Sequence, residues 1–162
     1  MNDINFSWSD GGLYDMIKKL KTKEIRRIER KSLSKAAGVL KRAVKQRLKQ
    51  EVPAATQSSE KYNDKLIDAI KSTIFEENTE MMFKLHTMGS RKSGSGTFRT
   101  RFFAVGTKER NSDGHNRGHI EATHFFSEGV SSSSSKAVNA INTTYTNELD
   151  KVLEQKYKEQ KI

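Results

Sequence analysis

The stretch that decides the fold is KKLKTKEIRRIERKSLSKAAGVLKRAVKQRLK, residues 18–49 of a chain of 162 residues. Its apolar residues recur at intervals of three, four or eight, the spacing that places them on one face of a helix. We therefore predict a long helix from about Leu13 to Gln50, with Thr22 as a second candidate start inside it. Val52-Pro53 should end this helix, because proline cannot continue the hydrogen-bond ladder.

The same stretch carries the charge excess of the whole protein. It holds 14 Lys or Arg and two acids, whereas the net charge of the full chain is +10, so the rest of the chain is slightly acidic. A basic stripe of this kind predicts an anionic partner, most often nucleic acid. A solvated helix face is the alternative, since charge alone has no sequence specificity. The candidate DNA-facing or docking residues are Arg26, Arg27, Arg30, Lys31, Lys41, Arg42 and Lys45.

Composition excludes several classes of protein. Apolar residues make up 33% of the chain and charged residues 31%, a balance that indicates an extended or multimeric protein. The chain has no cysteine, which excludes disulfides, thiolate zinc sites and cysteine nucleophiles. No apolar run approaches the ~20 residues that span a bilayer, and the opening residues lack the features of a signal peptide. We expect synthesis in the cytoplasm and no membrane partner.

The two ends of the chain differ in character. We predict a flexible aromatic arm over residues 1–12, followed by a single domain over residues 13–162. Phe6 and Trp8 stand in the arm among small polar residues, so they have no core of their own and either fray or pack on a neighbour. At the other end, serines suited to N-caps precede a clean helical stripe, which predicts a second long helix over about 136–160.

A small antiparallel sheet is predicted between the two long helices. A short helix over about 63–73 leads into a strand over 74–88, either continuous or broken near Glu77-Asn78. A second strand over 97–105 would pair with it across a mobile tip over 89–97, giving a long-tipped β-hairpin. The fold class is therefore α+β, with the helices on one face of the sheet. Loops on a rigid hairpin often carry binding, so the candidate partner contacts in the tip are Arg91, Lys92, Ser93, Gly94 and Ser95.

No pattern in the chain predicts catalysis. His115 and His119 are four residues apart, as a helical metal pair would be, but they fall in a Gly/Asn-rich loop without a third ligand. Gly94-Ser95-Gly96 lacks the Lys-Ser/Thr of a phosphate-binding loop, and the serine run lacks a nucleophile elbow. Arg99 and Arg101 alternate with phenylalanines, but the RNA-binding sheet motif is absent. We expect no catalytic residue, metal or cofactor, and a hydrolase with a Glu or His site is only a third candidate.

The order of features resembles one family, the gene-product-ten-like tail-component proteins found in the necks of long-tailed phages. The matching stretches cover about residues 20–160, and each is weak alone. They are Val52-Pro53-Ala54 after the basic helix, Lys65 to Ile74, Phe102 to Thr107 ending in Gly106-Thr107, and the aromatic plug Ile120 to Phe126 ending in Phe125-Phe126. Members of the family have a Thr-Gly step in the segment after the basic helix, two prolines in the plug and an acidic residue before Gly-Thr. This chain lacks that glycine and both prolines, and Ala104-Val105 stand where the acidic residue is usual.

The resemblance implies a structural virion protein. It would be a head–tail connector or tail-completion subunit that forms a ring, with six copies, and assembles in the host cytoplasm. Its partners would be other copies of itself, the adjacent connector or adaptor, the tail tube and the DNA that passes through the lumen. Pro53, Gly106, Thr107, Phe125 and Phe126 would be the structural residues of the family motifs, with Gly106 allowing a bend where Thr107 leaves the sheet. The alternative is a basic, non-specific nucleic-acid-binding protein that uses residues 18–49.

Overall fold

The computed structural model describes residues 22–59, 64–87, 96–116 and 118–159. The predicted arm with Phe6 and Trp8 lies outside the described residues, as does the part of the predicted hairpin tip that holds residues 91–95. The predicted arm and the partner contacts predicted at residues 91–95 therefore remain predictions.

Helix α1 spans Thr22–Glu51 and is the central element of the fold. The predicted helix is confirmed from Thr22 onward, and it ends just before Pro53 as expected. The Gln57 side-chain amide donates to the carbonyl oxygens of Lys49 at 3.1 Å and Val52 at 2.6 Å, which satisfies groups left open at the helix end. The buried stripe of α1 is Ile28, Ser32, Ala36, Ala37, Leu40, Val44 and Leu48.

A short connection follows α1. It contains a 3₁₀ turn over Ala54–Thr56 and a two-residue pairing between β1 (Ser58–Ser59) and β2 (Asp64–Lys65). The helix predicted over 63–73 is wrong: only Leu66–Ala69 form a 3₁₀ turn, and the chain is already a strand from Ile70. Leu66, Ile67 and Ile70 have the spacing of a helix, but Leu66 and Ile70 reach the core from a turn and a strand.

The sheet under α1 is a β-hairpin of β3 (Ile70–Glu77) and β4 (Glu80–Thr87). Asn78 and Thr79 join the strands with φ angles of 49° and 70°, the left-handed pair that a tight hairpin turn requires. Of the two predictions for residues 74–88, the strand broken near Glu77-Asn78 is the one confirmed. The hairpin closes at this turn, so residues 89–97 come after it and do not form its tip.

The second predicted strand, 97–105, is a helix. Helix α2 spans Gly96–Val105, and Thr100, Phe103 and Ala104 lie on the side that meets the rest of the fold. Strand-favouring Thr, Phe and Val dominate this segment, but three- and four-residue spacing lets it bury Thr100 against the carbonyl of Leu66. Gly106, with φ of +74°, terminates this helix, so the bend predicted at the edge of a sheet is a helix end.

The remaining described chain returns to α1. After a small pairing of β5 (Asn111–Ser112) with β6 (His115–Asn116), an irregular stretch leads into helix α3 (Phe125–Ser131) and helix α4 (Ser134–Glu159). Helix α4 confirms the predicted C-terminal helix. No helix in the described ranges is long and apolar enough to cross a bilayer.

Two apolar clusters hold these elements together. One joins the C-terminal half of α1 to the hairpin and to α3, through Val44, Leu48, Ile70 and Phe125. The other joins the middle of α1 to α4, through Ala36, Leu40 and Ala137, with Phe83 and Ile141 packed against it. The α+β class, with two long helices on a small antiparallel sheet, is confirmed.

Candidate functional site

The basic face of α1 is the principal candidate surface. We use this name for the solvent side of the helix between Arg26 and Lys45. Arg27, Arg30, Lys31 and Arg42 are exposed, while Arg26, Lys41 and Lys45 are partly covered. The seven residues therefore share one long helix, and two of them are neutralised by acids from other elements.

Arg26 and Lys31 are the neutralised members. The Arg26 guanidinium pairs with Glu76 at the end of β3. The Lys31 ammonium lies 2.7 Å from a carboxylate oxygen of Glu148 on α4, and Lys151 lies 3.0 Å from the other oxygen. These bonds, from Lys31 first and then Lys151, hold the pKa of Glu148 below its usual value. Arg26 and Lys31 thus tie α1 to its neighbours.

The other five cations of the basic face have no carboxylate partner among the described residues. They are spread from Arg27 to Lys45, a distance of about 27 Å at the helical rise. At about 100° per residue they fall within roughly a third of the circumference of the helix. They form two groups, Arg27 with Arg30 and Lys41 with Arg42 and Lys45, about 16 Å apart along the helix. Exposed cations of this kind bind phosphate backbones without sequence specificity. The five are Arg27, Arg30, Lys41, Arg42 and Lys45.

The structure brings most of the family-motif residues together. The Thr107 amide donates to the Ile120 carbonyl at 2.9 Å, and the Ile120 amide donates to the Thr107 hydroxyl at 2.9 Å. A Cβ on Gly106 would meet the Ile120 carbonyl oxygen at 3.0 Å, so only glycine fits this approach. Gly106-Thr107 therefore holds the stretch that leads into α3.

Phe125 and Phe126 begin α3 and anchor it. Phe125 is fully buried in the cluster with Leu48 and Ile70, and Phe126 packs against the same cluster. The two rings meet edge to face with centroids 6.4 Å apart. Pro53 is exposed at the end of α1 and takes no part in these contacts. The other four motif residues have structural roles in these contacts and offer no group suited to catalysis. They are Gly106, Thr107, Phe125 and Phe126.

A cavity of about 410 Å³ opens between α1, α4 and the hairpin turn. Glu29 and Glu80 lie in its wall, and Leu33, Met81 and Tyr145 supply much of the rest. The described residues contain no group of three or more His, Cys, Asp or Glu that could hold a metal ion. His115 and His119 are exposed at and beyond β6. The cavity lining thus offers the side chain of Glu29 beside an apolar wall, and no histidine or cysteine.

Three residues that matter to the site were not singled out from the sequence. Glu76 and Glu148 neutralise part of the basic face, and Gln57 closes the end of α1. The partners lie about 50 and 120 residues apart in the chain, and opposite charge in the sequence does not indicate which residues pair over such distances. Only the fold determines which acids reach which cations.

No family model, curated protein or solved structure matches this chain.

Proposed function

We propose that this protein is a non-enzymatic structural subunit that forms a ring in the neck of a tailed phage, as a head–tail connector or tail-completion protein. The observation that carries the proposal is the small core. Twelve apolar side chains are buried among the described residues, and four of them are alanines. The main sheet has only two strands, and such a hairpin is marginal without further packing. Association with other copies would supply that packing.

The order of elements also supports the proposal. A long basic helix, a short connection, a hairpin, the Gly106-Thr107 joint, the aromatic residues of α3 and a C-terminal helix follow one another as in the family that the sequence resembles. The departure is α2, which stands where the resemblance implies a strand. The proposal covers a connector, a stopper and a tail terminator alike.

In this role the protein works by assembly. Copies that contact one another head to tail form a ring when the rotations between successive copies add up to a full turn. By the family resemblance the ring has six copies. The cations of the basic face without a carboxylate partner in the described part of the chain would line a DNA lumen or meet an acidic neighbouring ring, and either contact would guide assembly electrostatically. The proposed partners are other copies, the adjacent connector or adaptor, the tail tube and the DNA in transit.

The test is the mass of the purified protein by light scattering at low and moderate salt, with negative-stain images of the same samples. A discrete oligomer that persists at moderate salt and shows as rings is the expected result. A monomer at every concentration and salt, with no rings after mixing with tail tubes, would overturn the proposal.

A second candidate function, non-specific nucleic-acid binding, is favoured by the five cations of the basic face that have no carboxylate partner among the residues the structure describes. For this function, we expect Lys41→Gln/Arg42→Gln/Lys45→Gln to weaken duplex DNA binding and to lower the slope of log affinity against log salt by about three, roughly one per lost phosphate contact. The control is Lys108→Gln/Lys136→Gln/Lys158→Gln, which removes the same charge from exposed lysines elsewhere. Equal slopes for the two triple variants would reject the basic face as the binding surface.

A further inference from the structure

The outer side of the β3–β4 hairpin faces away from α1 and has an ordered pattern of its own. The register pairs Glu77 with Glu80, Phe75 with Met82, Thr73 with Lys84, and Lys71 with His86. Alternation places these residues on one side, because their neighbours Ile70, Phe83 and Leu85 pack into the core on the other. We call these eight residues the outer face.

The outer face is graded in charge along the strands. Its turn end carries two carboxylates, its middle is apolar, and Lys84 and Lys71 follow towards the other end. Glu77, Glu80, Lys71 and Lys84 are all exposed, and none of them has an ionic partner among the described residues. In contrast, Glu76 on the inner side is paired with Arg26.

The apolar middle is a single cross-strand pair. Phe75 and Met82 lie opposite each other and are only partly buried. Aromatic rings make favourable contacts with one another and with thioether sulfurs. A pair of this size does not stabilise a tight complex alone, but it defines a centre around which the charges are arranged.

We propose that the outer face binds the outer face of a second copy in a two-fold contact centred on Phe75 and Met82. An axis that lies between the two sheets, across the strands, sets each β4 antiparallel to the partner's β4. Met82 then faces Met82 of the other copy, and Glu80 faces Lys84 of the other copy, one row away on each side of the centre. Successive residues on one face of a strand are about 6.7 Å apart, so Glu80 and Lys84 lie equally far from Met82. When the second strand runs in the opposite direction, each carboxylate therefore lies opposite an ammonium group.

The contact is distinct from the head-to-tail contact that would close a ring, and it does not depend on the proposed function. A two-fold contact joins like surfaces and doubles the mass of whatever unit carries it, whether a monomer or a ring. The eight residues of the outer face are fewer than the roughly 20–30 residues a side of a standard interface. Pairing through exposed charges is screened by salt, so this dimer dissociates at salt concentrations that a ring survives.

The test compares Glu80→Lys, Lys84→Glu and the double variant by sedimentation equilibrium at low salt. Each single variant places like charges opposite each other twice in the dimer, and we expect the dissociation constant to rise about tenfold. The double variant carries both changes in every chain, so position 80 of one copy again faces an opposite charge at position 84 of the other. An equimolar mixture of the single variants restores opposite charges between chains, because each contact then joins a lysine to a glutamate. Both should dimerise like the unaltered protein.

Glu121→Lys and Lys136→Glu are the matched controls, since they make the same charge changes at exposed positions off the hairpin. They should leave the dissociation constant unchanged. The proposal is overturned if the single variants and the controls behave alike, or if the double variant and the mixture fail to recover dimerisation. A ring that persists at moderate salt while the single variants have no effect on the low-salt mass would leave the proposed function intact and reject the two-fold contact.

Discussion

Two glycines show how differently one residue type is used in this fold. Gly38 lies in the interior of α1, and a Cβ added there would meet nothing within 4 Å. Gly129 lies in α3 where that helix crosses α1, and an added Cβ would lie 2.7 Å from the Cα of Val44. The first glycine costs α1 some helical stability, whereas the second permits the contact that seats Phe125 in the core.

We expect Gly38→Ala and Gly129→Ala to change stability in opposite directions. Gly38→Ala should raise the free energy of unfolding by about 0.5–1 kcal/mol, the gain from replacing glycine inside a helix. Gly129→Ala should lower it by about 1–3 kcal/mol, because two helices must move apart. Urea denaturation of both variants at one protein concentration measures the difference. A destabilised Gly38→Ala protein would contradict the expectation that an added Cβ meets open space at this position.

Residue-level prediction from the sequence succeeded for the apolar stripe of α1 because a helix repeats its environment every three to four positions. It also located the basic residues, whose charge is evident without a fold. It did not identify Glu148 or Glu76 as their partners, since those contacts arise only when α4 and β3 reach α1. The sequence also does not distinguish Gly38 from Gly129, because the cost of a Cβ at each position depends on which helix lies opposite.

The hairpin turn is the element in which local strain is concentrated. Thr79 has φ of +70°, a conformation that is unfavourable for a β-branched residue. Turns of this type strongly prefer Asn-Gly, and this chain has Asn78 followed by threonine. The missing glycine also explains why the sequence left the break near Glu77-Asn78 as one of two alternatives.

We expect Thr79→Gly to stabilise the protein by about 1 kcal/mol, since glycine adopts a positive φ at no steric cost. The measurement is the midpoint of thermal or urea unfolding. Thr107→Gly is the comparison, and it should destabilise because it removes the hydroxyl that accepts the Ile120 amide. A less stable Thr79→Gly protein would mean that the threonine side chain makes a contact worth more than the relief of strain.

Helix α2 was predicted as a strand for a physical reason. Its composition favours an extended chain. Phe98 and Phe102 are four positions apart, a spacing that fits one face of a strand as well as one face of a helix. Burial of Thr100 beside the core, with Phe103 and Ala104 on the same side, requires a helical spacing. Tertiary packing therefore overrides local preference here, and the predicted hairpin shifts towards the N-terminus as a result.

At the scale of the whole molecule, Glu148 links the first described helix to the last. Its side chain is 11% exposed and accepts contacts from Lys31 of α1 and Lys151 of its own helix. Because its pKa is lowered in the folded protein, folding favours the ionised form. The stabilisation is fully present above the usual pKa of a glutamate and is lost as the pH falls through the lowered value.

We therefore expect Glu148→Gln to reduce the free energy of unfolding at neutral pH, and the difference from the unaltered protein to vanish in acid. Unfolding curves across the acid range measure this convergence. Glu154→Gln, an exposed acid on the same helix, should show little effect at any pH. A Glu148→Gln defect of constant size at every pH would assign the role of this residue to packing and not to charge.

The position of α1 at the centre of both apolar clusters has a consequence for how the protein is made. Leu40 is covered in part by Ala137, which the ribosome adds almost a hundred residues later. Until α4 is made, only the hairpin and then α3 can cover part of the apolar stripe of α1. The cluster of Ala36, Leu40 and Ala137 can therefore form only after the C-terminal helix has left the exit tunnel.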